Sequence, residues 1–306
     1  MTTPELNIPF ADEDALTTLP RVTLPRMFQL GLFQMGIGIM SVLTLAVINR
    51  VMISELAIPA TVTAGAIAIP QLLAAPAKVW FGQLSDARPL FGLHRTSYTR
   101  LGAILFGCFV FVAVQVMWQL GGVVRVAGGW SWNGQTMVWT AVLALVFAGY
   151  GLAVNLGSVP FATLLVDVSE EEERGKITAI AWSLLMVGIV FGAVSGSVFL
   201  KRIQADPTGD GITPIAALQG PINTLFIVVP LLVVGLAFLG TFGIEKRFSR
   251  FKARSRLSRA EGTNKAESFT LGRALRVLTA SRQTGFFFAF LFIMTMGLVM
   301  PNTSPP

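Results

Sequence analysis

The sequence predicts an all-α integral membrane protein: a bundle of six membrane-crossing helices followed by one more. Three observations predict it. Hydrophobic residues make up 53% of the 306 positions and charged residues only 13%, where a soluble domain carries about a quarter charged residues; the mean hydropathy is +0.68. Seven apolar runs reach or nearly reach the ~20 residues that cross a bilayer as helix. The lysines and arginines gather in alternate turns, as the positive-inside rule requires. A closed barrel is the other backbone solution inside lipid, but barrel strands alternate over about ten residues, and these runs are longer and continuous.

Residues 1–27 are polar and acidic at first, without the basic start and short apolar core of a secretory signal; they read as a cytoplasmic tail. The runs then follow as Phe28–Ile48, Thr61–Phe81, Leu101–Leu120, Met137–Val159, Ile177–Leu200 and Ile222–Ile244, so residues 28–244 form a six-helix block. A basic linker occupies residues 245–284. The seventh run, Gly285–Met300, opens a further segment, residues 285–306, which closes on Pro301-Asn302-Thr303-Ser304-Pro305-Pro306. One helix cannot pack a second bundle, so the expectation is a chain that stops after the seventh helix of a longer plan.

Charge sets the orientation. The turns after the second, fourth and sixth runs hold Arg88, Arg95, Arg100, then Arg174 and Lys176, then the cations from Lys246 to Arg282. The opposite turns hold Arg50, Arg125, Lys201 and Arg202. The N-terminus and the even turns are therefore expected in the cytoplasm. A six-helix block, a basic linker and a new span form the plan of a two-halved transporter. The linker also suits anionic lipid, at about 1 kcal/mol per cation near the surface, although enforcement of topology alone explains its charge. The pI of 10.2 is accounted for in the same way, so nucleic acid is not an expected partner.

Polar and small residues inside the spans supply the candidates. Gly188, Gly192 and Gly196 recur every four residues on one face of the fifth run, where they let another helix approach closely. Gly31, Gly36 and Gly38, and Gly149, Gly151 and Gly157, do the same in runs one and four. Pro70 and Pro76 predict a kink in run two. Gln34, Asn49, Gln71, Gln115 and Asn155 are neutral polar groups in the spans or at their ends; each serves as interhelical glue or as a contact to a ligand. Lys78 is an intramembrane cation about two turns before Asp86; it is a functional group, a snorkelling side chain or a partner of Asp86. Asn49-Arg50 and Glu55 flank the far end of run one, as an interfacial pair or as contacts to a ligand carboxylate. Cys108 is the single cysteine and His94, in a loop, the single histidine. No nucleophile–base pair, metal cluster or phosphate loop is legible, so no enzymatic chemistry is expected.

Between runs two and three lies Trp80–Arg100, a short basic loop broken by Gly82, Pro89 and Gly92. Gly82 with Asp86, Arg88, Arg95 and Arg100 resembles the loop between helices 2 and 3 of the major facilitator superfamily. That resemblance implies a conformational latch made by Gly82, Asp86, Arg88, Arg95, Arg100 and, after the acidic turn Asp167 to Glu173, Arg174. The sequence departs from the superfamily pattern at Ala87, where a cation is usual, and in the spacing to Gly92 and Arg95. Leu24-Pro25-Arg26-Met27-Phe28-Gln29-Leu30-Gly31, Asn49-Arg50-Val51-Met52-Ile53-Ser54-Glu55-Leu56 and Trp80-Phe81-Gly82-Gln83-Leu84-Ser85-Asp86 together resemble the PucC/LhaA group, the bacteriochlorophyll-delivery family of that superfamily. The overall form looks more like its cyanobacterial members than its purple-bacterial ones.

The resemblance implies a multi-pass protein of the inner or photosynthetic membrane that handles chlorophyll or bacteriochlorophyll as cargo. It implies lipid, pigment and light-harvesting or photosystem polypeptides as partners. Candidate pigment contacts are Gln34, Asn49, Arg50, Gln71, Lys78 and Asn155. Two other readings stay open: a secondary transporter of a small amphipathic solute, and a membrane assembly chaperone that transports nothing. The expected orientation has a direct test. Cysteines placed in the Lys246–Arg282 linker should label only from the cytoplasm, and one at Arg125 only from the other side; the reverse pattern would overturn it.

Overall fold

The computed structural model describes residues 21–204 and 215–249, together with Phe286 and Phe290. Most of the N-terminal tail, the linker beyond Ser249 and the seventh run with its closing prolines lie outside the described residues. The chain divides into two compact units, Met1–Gly262 and Thr263–Pro306; the bundle described below belongs to the first.

α1 starts at Leu24 behind Pro25 and runs as one apolar rod to Glu55. Proline at the first turn is tolerated because its missing N–H would have had no partner there. Two stretches of α1, Leu43–Ile48 and Val51–Glu55, are wound as π-helix, a local widening that re-aims side chains and is found most often at functional sites. α2 is Ala60–Ala87, α3 Thr96–Val126, α4 Gly134–Val168, α5 Arg174–Gln204 and α6 Ile215–Thr241. The short α7, Ile244–Phe248, follows Gly243, whose φ of 70° breaks the chain out of α6. Five of these helices are long and apolar enough to cross a membrane, and α2 is a sixth if its two limbs count as one span. The protein is thus a multi-pass membrane protein with an all-helical bundle. The helices overrun the apolar runs: α2 goes on to Ala87 and α1 to Glu55, because a helix ends where its hydrogen bonds end and not where hydropathy falls.

α2 bends by 46° between Ala60–Ala74 and Pro76–Ala87. Pro76 removes a backbone donor and its ring crowds the preceding turn, which forces such a break. At the start of α4, Asn133 accepts from the Thr136 backbone N–H while the Thr136 hydroxyl accepts from Asn133 N–H, a reciprocal cap that sets where the helix begins.

In the bundle α3 packs on α4, α5 on α1, α2 on α4, and α6 on both α1 and α3. Lipid supplies no hydrophobic drive between helices, so close van der Waals approach has to hold them together. Glycine makes that approach. A Cβ at Gly188 would run into the Met35 carbonyl, and one at Gly192 would lie 2.7 Å from the Ile39 oxygen; Gly38 of α1 abuts the Leu185 carbonyl of α5 in return. Gly196 is less tight, meeting only the Val47 and Leu43 side chains. Gly102 lies against Gly157, so α3 and α4 also touch backbone to backbone. Phe33, Phe106, Phe147, Phe161 and Phe226 fill the interior, while Trp182, Phe191, Val194, Leu231 and Leu239 are exposed as a lipid-facing surface requires.

A substitution series tests this packing. Gly188→Ala should destabilise the bundle by about 1–3 kcal/mol, the usual cost of overpacking, because the opposing atom is backbone and cannot step aside. Gly235→Ala, with nothing near its Cβ position, should be neutral or mildly stabilising. Thermal melting of both variants in detergent reads the difference, and equal melting points would place the Gly188 face away from α1.

Candidate functional site

Among the described residues, two larger polar constellations stand out in the apolar bundle. The first is a cavity of about 280 Å³ between α1, α2 and α4, with Phe106 of α3 at its back. The kink of α2 and the start of the first π-segment of α1 lie beside it. Past the kink, α2 turns Lys78 toward it; before the kink, α2 turns Gln71 and Ala74 toward it. Where α1 widens into the first π-segment, Thr44 faces the same space. Its hydroxyl donates to the Met40 carbonyl at 2.9 Å and lies 3.4 Å from the Tyr150 hydroxyl. α4 supplies Tyr150, Asn155 and Ser158. At one edge the two walls meet, since Gly151 stands so near Pro70 that a Cβ would lie 2.6 Å from the proline Cα.

Asn155 is 5% exposed and donates Nδ2 to the Gly151 carbonyl at 2.7 Å. That bond orients the amide and uses one of its two hydrogens; among the described residues its carbonyl oxygen has no protein donor, so it is the acceptor offered to a guest. Phe106 and Phe147 set their edges against the Tyr150 ring, which fixes the phenol and makes the inner wall aromatic. The result is a greasy enclosure with a few fixed polar groups, the usual form of a small-molecule site.

Of the six candidate contacts legible in the sequence, the structure places Gln71, Lys78 and Asn155 in this cavity. Gln34, Asn49 and Arg50 do not line it. Arg50 is exposed at the far end of α1, and Gln34 and Asn49 are half-buried elsewhere on that helix. Thr44 and Tyr150 are cavity groups the sequence reading passes over. Tyr150 carries a usable signal, as one of two tyrosines in the chain and the one within an apolar run. Gln115 faces elsewhere: its amide donates to Asn223 Oδ1 at 3.1 Å, which also receives the Trp118 indole N–H at 3.0 Å, and so ties α3 to α6.

The second constellation lies at the end of the bundle where α2 and α4 finish and α3 begins. Its centre is Arg95, 4% exposed. Its guanidinium reaches Asp86 Oδ1 of α2 at 2.5 Å, Asp167 Oδ2 of α4 at 3.0 Å and the Ser85 hydroxyl at 2.6 Å; Ser85 in turn donates to the Gly82 carbonyl. Glu245 of α7 closes the arrangement from the other side. Its carboxylate accepts from the backbone N–H groups of His94, Arg95 and Thr96, the open donors at the positive end of α3. One arginine and one glutamate thus join α2, α3, α4 and α7.

The residues of the expected latch separate here. Gly82, Asp86 and Arg95 belong to one network. Arg100 stands beside it, donating to the Thr241 hydroxyl at 2.9 Å and lying over the Phe238 ring. Arg88 is exposed and takes part through its carbonyl, which accepts from Tyr98. Arg174 begins α5, and its Nε is buried without a hydrogen-bond partner among the described residues. Asp167 and Glu245 are the members that sequence reasoning leaves with the acidic turn and the linker. Lys78 does not pair with Asp86: eight residues along one helix set them about 12 Å apart, and Arg95 meets that carboxylate instead.

The fold and these two sites define a class: a multi-pass helical membrane protein with a polar-dotted apolar cavity and a buried charge cluster at one end of its bundle. Within that class the chain belongs to the PucC family, whose "PUCC protein" model matches residues 47–303. It is 32% identical over 182 residues to a Rhodobacter capsulatus protein described as an uncharacterized protein in the puhA-bchM intergenic region, covering 56% of this chain and 33% of that one. It is 31% identical over 146 residues to Protein PucC of the same organism, covering 47% and 30%. Protein PucC of Rhodovulum sulfidophilum is 30% identical over 153 residues, covering 49% and 32%. The chain therefore spans about a third of the length of the curated relatives it matches. No solved structure matches it.

The charge cluster has an ordered set of consequences. Arg95→Gln removes the buried charge that meets Asp167, Asp86 and Ser85 and should cost about 3–5 kcal/mol, as loss of one partner of a buried pair does. Asp86→Asn removes a carboxylate that is 56% exposed and should cost under about 1 kcal/mol. Melting temperatures in detergent should fall in that order, and a larger loss for Asp86→Asn would show that the network is organised around α2 instead.

Proposed function

We propose that this protein is a pigment-delivery or light-harvesting assembly factor that holds a chlorophyll-type molecule in the cavity between α1, α2 and α4, and that it is not an enzyme. The observation that carries the reading is the cavity itself, within a chain of the PucC family. Apolar and aromatic walls supply most of the affinity for a large flat macrocycle, while Tyr150, Asn155, Gln71 and Thr44 offer neutral polar contacts that fix its orientation without burying a charge. The reading includes a facilitator-type plan, in which this bundle forms one half and the Arg95 end faces the cytoplasm. Light-harvesting or photosystem polypeptides would receive the pigment.

One observation favours a second reading. At about 280 Å³ the cavity is at the lower edge of the ~300–1,000 Å³ typical of small-molecule sites, so it holds part of a macrocycle or the whole of a small amphipathic solute. Under the first reading the remainder of the pigment extends beyond the cavity.

The protein expressed from its complete gene should take up chlorophyll in an absorption titration. Asn155→Leu should weaken that binding at least about tenfold, through loss of a polar contact and intrusion of a branched side chain. Leu145→Ala, on the exposed face of the same helix, should leave it unchanged. Deletion of the gene in a phototrophic host should lower antenna assembly and spare pigment synthesis. Normal antenna levels in the deletion strain, together with a pigment-free protein, would sink this reading in favour of the small solute.

A further inference from the structure

We infer that the cavity takes a tetrapyrrole carrying a free carboxylate, with the Lys78 ammonium as its counter-ion. The inference rests on the pigment reading above and names the form of the pigment. Lys78 is the one charged residue among the described residues lining the cavity. It stands on α2 about two turns before the end of the helix, facing the same space as Gln71 and Ala74, and it is exposed there. The acidic residue of the same helix, Asp86, is bound to Arg95, and the other ion pairs among the described residues join Arg95 to Asp167 and Arg21 to Glu170. A lysine at membrane depth is expensive, and such residues are kept where a partner or a pathway uses them. Among the described residues lining the cavity there is a cation and no carboxylate.

The cavity is polarised accordingly. Phe106 and Phe147 are fully buried at its inner wall, and Asn155 and Tyr150 are the neutral groups beside them. The cation sits at the exposed side. A flat apolar ring therefore enters first, and an anionic group on its periphery is left at Lys78. A pigment whose propionate is esterified with a long alcohol offers only neutral oxygens at that point. The free acid offers a carboxylate, which makes a stronger, charge-assisted hydrogen bond to an ammonium. A fatty acid shares this chemistry but lacks the flat ring that the aromatic wall accommodates.

The test compares chlorophyllide with its phytyl ester, chlorophyll, by fluorescence titration. The protein is expressed from its complete gene and held in nanodiscs of zwitterionic lipid, with palmitate as competitor. The free acid should bind about tenfold or more tighter than the ester, the effect of one charge-assisted contact. Lys78→Met should abolish the preference by weakening the acid far more than the ester, and Lys78→Arg should retain it. Equal affinity of acid and ester in the unmodified protein overturns the inference while the pigment reading stands, and this comparison needs no variant to fold. A preference that survives in Lys78→Met also overturns it. Displacement of chlorophyllide by palmitate at comparable concentration assigns the cation to lipid-derived acids instead. Failure of both pigments to bind removes the pigment reading and the inference with it.

Discussion

Backbone-to-backbone contact between helices is the constraint on which the rest of this structure depends. In lipid a leucine gains little by leaving the acyl chains for another helix, so association relies on contact area and close approach. Gly188 and Gly192 bring α5 onto the backbone of α1, and Gly102 with Gly157 does the same for α3 and α4. Gly151 against Pro70 sets α2 on α4. Once these distances are set, the space left between α1, α2 and α4 is set too, and that space is the cavity. The faces of α1 and α2 that carry Ser41 and Thr44, and Gln71, Ala74 and Lys78, at helical spacing then line it.

The polar groups divide into those that hold the bundle and those it leaves available. Arg95 and Glu245 belong to the first kind. A buried guanidinium needs partners for its hydrogen bonds, and Asp86, Asp167 and Ser85 are among them. Glu245 meets three amide hydrogens at the positive end of α3, where a carboxylate is most strongly favoured. Gln115, Trp118 and Asn223 form a smaller bond of the same sort between α3 and α6. Tyr150, Asn155, Gln71 and Lys78 belong to the second kind: they stand around a space rather than around one another, and they are the groups with chemistry to offer a guest.

Much of this was legible before any coordinates. Gln71, Lys78 and Asn155 are costly residues for a span, and cost alone marks them. The same argument marks Gln34, Asn49 and Arg50 with equal force, and the structure sends those three elsewhere. Hydropathy has no term for rotation about a helix axis, so it cannot separate a polar group that faces a cavity from one that faces a neighbour. Thr44 is a sharper case. A threonine in an apolar run is unremarkable by composition, and it reaches the cavity because it continues the face of Ile37 and Ser41 at helical spacing.

By itself the sequence determined the class of the protein, its membrane-length helices, the alternation of charge between turns and the helix faces where small residues permit contact. These follow from local properties: hydropathy over about twenty residues, charge beside each span and glycine at a spacing of four. The tertiary structure alone decided which carboxylates meet Arg95, since Asp86, Asp167 and Glu245 are 9, 72 and 150 residues away along the chain and come together only when four helices end at one place. It alone decided that Lys78 faces a cavity rather than Asp86. An ion pair is a matter of distance in space, and sequence carries that distance only where the two residues share one helix.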